Sequence, residues 1–290
     1  MKKPIQRVAA IHDLSGFGRV SLAVVIPILS TMGIQVCSLP TAVLSTHTGG
    51  FKNFHFIDLT DHMEAYIAHW KEIGIDFDCI YSGFLGSVKQ IEIISRFIHD
   101  FAKKDTLVVV DPVMGDGGKL YPSMNQAMVK EMRKFIKKAD LITPNYTEVL
   151  FLLDEPGDGM IHDDLIKAYL KRLVEMGPKI VIITSVPSTE TKNITSVIAY
   201  NRDDGRFWKV KCDYIPAYFP GTGDVFTSVV VGSLLQGDSL PIALDRAVQF
   251  ITAAIRASYG HNYPQRNGIM LERVLGNLTL PVMMSSYKLL

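Results

Sequence analysis

The segment Phe219-Pro220-Gly221-Thr222-Gly223-Asp224 sets two glycines and an acid ahead of the apolar run Val225 to Leu235. Glycines at a helix start let backbone N–H groups converge on an anion, and the helix dipole favours negative charge at that end. An acid beside such an anion hole is odd for phosphate binding alone. It makes sense where the acid takes a proton from an attacking hydroxyl while the amides hold a phosphoryl group in transfer. Capping by Thr222 or Asp224 accounts for these residues about as well. Other segments must decide.

Asp111-Pro112-Val113-Met114-Gly115-Asp116-Gly117-Gly118-Lys119-Leu120-Tyr121 follows the apolar run Leu107 to Val110. Asp111 and Asp116 suit a hydrated Mg²⁺, which takes few carboxylates and keeps several waters. Gly115 to Gly118 would make a mobile flap over nucleotide phosphates, with Lys119 as a point charge; a solvated turn is the plainer alternative. In Leu141-Ile142-Thr143-Pro144-Asn145-Tyr146-Thr147-Glu148, Asn145 and Glu148 sit three apart and could both face a metal-water shell. Capping by Asn145 or Thr147, with Glu148 as a first-turn acid, is the competing account. Thr184-Ser185 ends another strand, and the polar loop Ser45 to Phe51 carries His47. Ligands of open parallel sheets collect at the carboxyl ends of strands, so matching decoration at several strand ends argues against coincidence.

Those segments need a sheet to bring them together. Val8 to Ile11, Ile34 to Leu39, Cys79 to Tyr81, Leu107 to Val110, Leu141 to Thr143 and Ile180 to Ile183 read as strands. Several are apolar on both faces, as when helices cover both sides of a parallel sheet. Ser87 with Gln90 has the spacing of a capping box ahead of Ile91, Ile94, Phe97, Ile98 and Phe101 at helical intervals. Leu165, Tyr169, Leu173 and Met176 repeat the pattern, and Gly177-Pro178 stops it. Thr195 to Tyr200 and Arg206 to Lys211 flank the turn-rich Asn201 to Gly205 as a β-hairpin, and from Thr222 onward the pattern is mostly helical. Asp154 to Gly159 is a loop too short to divide domains. Residues 1–290 therefore read as a single α/β domain of three layers.

Composition excludes other classes. With 30 Lys+Arg against 29 Asp+Glu the formal charge is +1, without the basic excess expected of a nucleic-acid binder or attraction to an anionic membrane. Leu22 to Leu29 and Val225 to Leu235 fall short of a bilayer span, and the amino-terminal stretch lacks a signal-peptide core. Cys37, Cys79 and Cys212 are scattered and odd in number, as free thiols of a reducing compartment are. A soluble cytoplasmic protein is expected.

Gly16-Phe17-Gly18-Arg19-Val20-Ser21 after the first strand is a weak dinucleotide fingerprint and motivates a nicotinamide-dependent oxidoreductase as a rival. Ser21 stands where the third glycine belongs, and Ile34 to Leu39 ends without an acid for a ribose hydroxyl. A Walker A loop and the H-R-D and D-F-G signatures of protein kinases are missing. His55, His62 and His69 lack metal spacing. Met124, Met128 and Met132 read as a core stripe, and Lys130, Arg133, Lys134, Lys137 and Lys138 as a solvated helix face.

Together, Ser45 to Gly50, Ser82 to Ser87, Asp111 to Tyr121, Ile142 to Glu148 and Gly221 to Asp224 resemble the pyridoxal kinase group of the ribokinase superfamily, from about Val8 to Leu235. The resemblance implies a three-layer α/β/α, Rossmann-like fold with a mostly parallel central sheet, usually in a homodimer. It also implies transfer of the ATP γ-phosphate to the 5′-hydroxymethyl group of pyridoxal, pyridoxine or pyridoxamine. Carried over by motif, Asp224 becomes the general base, and Gly221, Thr222 and Gly223 the anion hole. Asp111, Asp116, Asn145 and Glu148 would surround Mg²⁺ and the phosphates, with Asp111, Asp116 and Glu148 as metal ligands. Thr184, Ser185 and Thr222 would line the nucleotide site, and Asp13, His47, Thr48, Phe84 and Asp224 the vitamer site.

Two departures stand out. Phe84 replaces a common Tyr, which preserves stacking on the ring. Ile11-His12-Asp13-Leu14 stands where many pyridoxal kinases read Ile-Gln-Ser-His, and Asp13-Leu14-Ser15-Gly16 resembles the hydroxymethylpyrimidine kinases instead. Asp13 could accept a charge-assisted hydrogen bond from a pyridinium N–H or from the 4′-amine of pyridoxamine. A hydroxymethylpyrimidine kinase is thus the nearer alternative, and a non-catalytic vitamer-binding protein the more distant one.

Overall fold

Strands that are apolar on both faces need cover on both, and in the computed structural model each face has its own helical layer. The structure describes residues 4–157, 161–187, 194–213, 215–281 and 286–290. In chain order the elements are β1 (Arg7–Phe17), α1 (Leu22–Thr31), β2 (Gln35–Thr46), β3 (Phe56–Asp58), α2 (Thr60–Glu72), β4 (Cys79–Ser82), α3 (Val88–Phe101) and β5 (Leu107–Val110). The short β6 (Gly115–Asp116) and β7 (Lys119–Leu120) follow, then α4 (Gln126–Phe135), β8 (Leu141–Ile142), α5 (Tyr146–Leu153), α6 (Asp163–Glu175) and β9 (Ile180–Pro187). The chain ends with β10 (Ile194–Asn201), β11 (Arg206–Asp213), α7 (Thr222–Gln236), α8 (Leu240–Tyr259) and β12 (Tyr287–Leu289).

Ten strands form one sheet in the order β12-β11-β10-β9-β8-β5-β4-β1-β2-β3. From β2 to β9 the pairing is parallel; β3 at one edge and β10, β11 and β12 at the other are antiparallel. Alternation sorts the side chains between layers. Ala9, Ile11, Ile80, Val108 and Val110 pack with α2 to α6, whereas Val8, Ala10, Tyr81 and Val109 pack with α1, α7 and α8. This is the three-layer, ribokinase-like architecture that the sequence implied. Met124, Met128 and Met132 are buried as the expected core stripe, and Cys37, Cys79 and Cys212 are not joined by disulfides. No helix among the described residues is long and apolar enough to cross a membrane.

Several expectations change. β1 runs six residues past Ile11, so Gly16 and Phe17 belong to the strand and no dinucleotide loop follows it. The extension pairs Leu14, Ser15 and Phe17 with Val43, Leu44 and Thr46 after a register shift between His12 and Leu14. Gly115 to Gly118 is built into the β6–β7 hairpin, with Asp116 opposite Lys119. Only half of the capping box at α3 forms: Ser87 accepts the Gln90 N–H, but Gln90 Oε1 accepts from Gly86 instead. Thr184 and Ser185 lie inside β9, which continues to Pro187 against β10. β12 adds an edge strand where a helical pattern was expected. In the loop 154–159, Asp158 and Gly159 lie outside the described residues.

Candidate active site

The carboxyl ends of β1, β4, β5 and β8 face the start of α7, where the buried acids Asp13, Asp111 and Glu148 gather around the partly exposed Asp224. Gly221 begins α7 with φ 85°, a conformation suited to glycine, and Asp224 stands in the first turn. Asp224 Oδ2 accepts the backbone N–H of Ser21 at 2.9 Å. Burial lifts its pKa to about 7, with the nearby charge of Asp13 adding and the Ser21 amide opposing. Such a carboxyl is poised to exchange a proton near neutrality.

Asp13 is buried at the register shift of β1. Its Oδ1 accepts the Ser21 hydroxyl at 2.5 Å and its Oδ2 the Ser15 hydroxyl at 3.4 Å. Burial raises its pKa, while these hydroxyls pull the other way. His47 is held by backbone on both sides. Its Nε2 donates to the Arg266 carbonyl at 2.7 Å, and its Nδ1 accepts the Gly49 N–H at 3.0 Å, which fixes a neutral tautomer. Thr48 is exposed beside it, and Phe84 is half-buried against the α2–α6 layer, its carbonyl accepting from Thr41.

Asp111, at the end of β5, is buried next to the α7 start. A Cβ on Gly223 would lie 3.9 Å from its Oδ2. Burial, with Glu148 and Asp224 nearby, pushes its pKa well above the carboxylate range. Glu148 and Asn145 form a complete capping box on α5. Glu148 Oε1 and Oε2 accept the Met114 and Asn145 N–H groups, both at 2.9 Å, and Asn145 Nδ2 donates to the Gly115 carbonyl at 2.8 Å. The capping account of the sequence is therefore correct, and the same contacts fasten the β5–β6 segment. Burial outweighs these amides and lifts the Glu148 pKa to about 8.

Asp116, Thr184, Ser185, Thr222 and Gly223 line one cavity of about 720 Å³ that continues between apolar Phe226, Val248, Ile251 and Ile255. Polar groups at one end and an apolar slot at the other suit a nucleotide's phosphates and base. Asp111, Asp116 and Glu148 are not gathered into one closed ligand set: among the described residues no three His, Cys, Asp or Glu side chains are arranged to hold a metal ion.

A family model described as phosphomethylpyrimidine kinase matches residues 26–269. The chain belongs to the phosphomethylpyrimidine kinase family. It is a phosphotransferase, and the oxidoreductase reading is set aside. A Bacteroides thetaiotaomicron protein assigned to the phosphomethylpyrimidine kinases, solved in an orthorhombic form with pyridoxal, is 58% identical with a TM-score of 0.96, over 99% of this chain and 100% of that one. Pyridoxal kinase from Lactobacillus plantarum is 30% identical with a TM-score of 0.86, over 95% of this chain and 97% of that one. Hydroxymethylpyrimidine/phosphomethylpyrimidine kinase of Haemophilus influenzae is 30% identical over 81% of this chain and 85% of its own length. The likeness to vitamin B6 kinases read from the sequence is borne out.

Sequence reading missed Ser21 and His12. Ser21 counted only as a failed glycine of the fingerprint, yet its amide and hydroxyl reach Asp224 and Asp13. His12 counted only within Ile11-His12-Asp13-Leu14, just past the strand read as Val8 to Ile11; it is fully buried, 3.7 Å from Asp224. Its one signal is a polar residue immediately before Asp13 in an otherwise apolar run.

Proposed function

We propose that this family member transfers the γ-phosphoryl group of ATP to the 5′-hydroxymethyl group of a vitamin B6 vitamer, through one kinase domain spanning residues 1–290. The observation that carries the reading is Asp224, a largely buried acid with its side chain 14% exposed and its pKa lifted to about 7, at the amide-lined start of α7. Thr222 and Gly223 beside it line the nucleotide cavity, and Asp13 is its charged neighbour. Asp224 accepts the hydroxyl proton as that oxygen attacks the γ-phosphorus in line, and the N–H groups at Gly221, Thr222 and Gly223 receive the phosphoryl oxygens. Asp13, His47, Thr48 and Phe84 line the vitamer site. The relative solved with pyridoxal supports this choice of acceptor.

Mg²⁺ fits the residues present. Asp111 is a buried carboxyl with acids as its charged neighbours, and a divalent ion would offset that charge. Asp111 would hold the ion directly, with Glu148 and Asp116 acting through water, since Mg²⁺ keeps several waters and needs few carboxylates. When bound, the ion neutralises charge on the transferring phosphates. We also read the chain as a cytoplasmic homodimer, on the strength of the family resemblance; sedimentation velocity tests the dimer.

The second reading is a hydroxymethylpyrimidine kinase, favoured by Asp13-Leu14-Ser15-Gly16 and the Haemophilus relative. An ADP-release assay with pyridoxal, pyridoxine, pyridoxamine and hydroxymethylpyrimidine as acceptors separates the two. Turnover with the vitamers is expected. Turnover confined to the pyrimidine would reverse the assignment, and no turnover with any acceptor would favour a binding protein.

A further inference from the structure

Asp224 has a close neighbour that the proposed chemistry leaves unused. His12 sets Nδ1 3.7 Å from Oδ1 of Asp224, the oxygen that Ser21 does not hold. Neither ring nitrogen of His12 has a hydrogen-bond partner among the described residues, although the side chain is fully buried. Buried imidazoles ordinarily satisfy their nitrogens, so an unpaired one aimed at a carboxylate asks for an explanation. The ring is also confined. Tyr81 meets it edge-on at 4.4 Å, and a Cβ on Gly83 would collide with Nδ1. Glycine in Ser82-Gly83-Phe84 is thus what makes room for this ring.

We propose that His12 is a positioning residue for Asp224: its neutral Nδ1–H closes onto Oδ1 of the ionised carboxylate while the Ser21 amide holds Oδ2. This rests on the reading of Asp224 as the base. With both oxygens fixed, the remaining lone pairs of Oδ1 face the substrate hydroxyl in one orientation. Hydrogen bonds of catalytic groups are commonly long before substrate binds and shorten in the complex. Burial lowers the His12 pKa to about 3, which keeps the ring neutral at working pH and able to donate from one nitrogen. The other ionisable groups facing this point are Asp13 from β1, Tyr81 from β4 and Asp111 after β5, and all three are retained in the variants below.

The test compares kcat, KM and their pH profiles for the wild type, His12→Leu, His12→Gln and Asp224→Asn. His12→Leu is expected to lower kcat by about 10- to 100-fold, the range for losing a group that orients a reacting one, with KM for both substrates within about twofold. Its acidic limb moves to higher pH, because the carboxylate loses a donor that favours its ionised form. His12→Gln, which keeps an N–H donor, restores the limb and most of kcat. In ¹⁵N-histidine spectra of the vitamer-bound wild type, the resonance that disappears in His12→Gln shows a neutral Nδ1–H tautomer. An unchanged kcat and limb in His12→Leu, equal losses in Leu and Gln, or an Nε2–H or doubly protonated ring each overturn the proposal. If His12→Leu does not fold, His12→Gln and the spectra decide. Near-normal turnover in Asp224→Asn removes the base itself; an inactive Asp224→Asn beside a wild-type-like His12→Leu removes only the role of His12.

Discussion

Ser21 gives its backbone N–H to Asp224 at 2.9 Å and its hydroxyl to Asp13 at 2.5 Å, joining an acid of the first strand to an acid 203 residues beyond Ser21 in the chain. Its backbone adopts φ 51° and ψ −133°, where a serine is strained, and strain of this kind persists where surrounding contacts enforce it. Ser21→Gly relaxes that strain and keeps the amide while removing the hydroxyl. The variant is expected to melt no lower than the wild type and to retain kcat. KM for the vitamer rises by about tenfold, because Asp13 loses a hydrogen bond that orients it. Parallel thermal melts and kinetics check this; a collapse of kcat with unchanged KM would contradict it.

Asp13 is buried, aligned by two hydroxyls, and acidic where a serine is common in the resembling kinases. A carboxylate favours a cationic partner, so pyridoxamine is expected to be used at least as well as pyridoxal. Asp13→Ser should lower kcat/KM for pyridoxamine by about 10-fold or more, and for pyridoxal by less. Kinetics on the three vitamers test the point. A strong preference for pyridoxal that Asp13→Ser leaves unchanged would sink it.

Asp224 must be ionised to accept a proton, and burial lifts its pKa to about 7. Activity therefore falls as pH drops through this value, and the acidic limb of kcat/KM belongs to the free enzyme. Asp224→Asn removes the base without changing its shape. It should lower kcat by about 10²- to 10⁴-fold while nucleotide binding, measured by calorimetry, persists. Near-wild-type turnover would refute the role.

The raised carboxyls also set a stability slope. Glu148 moves from 4.5 to about 8 and Asp224 from 3.8 to about 7, so the folded state holds these protons more tightly than the unfolded chain. Their contribution to stability is greatest at low pH and declines as pH rises from about 4 to about 8. Melts of the metal-free protein should show that decline, and Mg²⁺ with ATP should raise Tm more at about pH 8 than at about pH 5, because metal competes with protons. Asp111→Asn should weaken both effects. Equal Mg²⁺-dependent gains at both pH values would count against Asp111 as a ligand.

The central strands were legible because a strand covered on both faces has to be apolar throughout, and Leu107 to Val110 is read with its observed bounds. The β1 extension was not, since Asp13, Ser15 and Gly16 are poor strand formers whose place depends on pairing with β2. β12 is three residues long and made by pairing with β11, which no local pattern announces. At the site, Asp224 and Asp111 could be singled out by type and place, one acid beside helix-start glycines and one after an apolar strand, although a cap or a turn accounted for each about as well. Glu148 gave the same signal, but its oxygens are taken by the backbone N–H groups of Asn145 and Met114, and residue type and spacing are the same for a cap as for a free ligand. Ser21 and His12 act through contacts with α7, more than two hundred residues away.

The two glycines ahead of Asp224 have separable duties. Gly221 has φ 85°, and a Cβ there would collide with the Arg19 carbonyl and meet the Val20 α-carbon at 3.0 Å. Both the backbone and its neighbours resist a side chain, so Gly221→Ala should cost about 1–3 kcal/mol of stability from conformation alone, and activity falls with it. Gly223 lies inside α7, away from positive φ, and among the described residues outside its own helix a Cβ there meets only Asp111 Oδ2, at 3.9 Å. Alanine suits a helix better than glycine by about 1 kcal/mol, so Gly223→Ala should melt at or above the wild-type temperature. Its methyl nevertheless approaches Asp111, on the side where we propose that the phosphoryl group and Mg²⁺ bind, so kcat should drop although the fold is intact. Melting curves and turnover for the pair decide the matter: a Gly223→Ala variant that is both stable and fully active would show that the transferring phosphoryl group lies elsewhere.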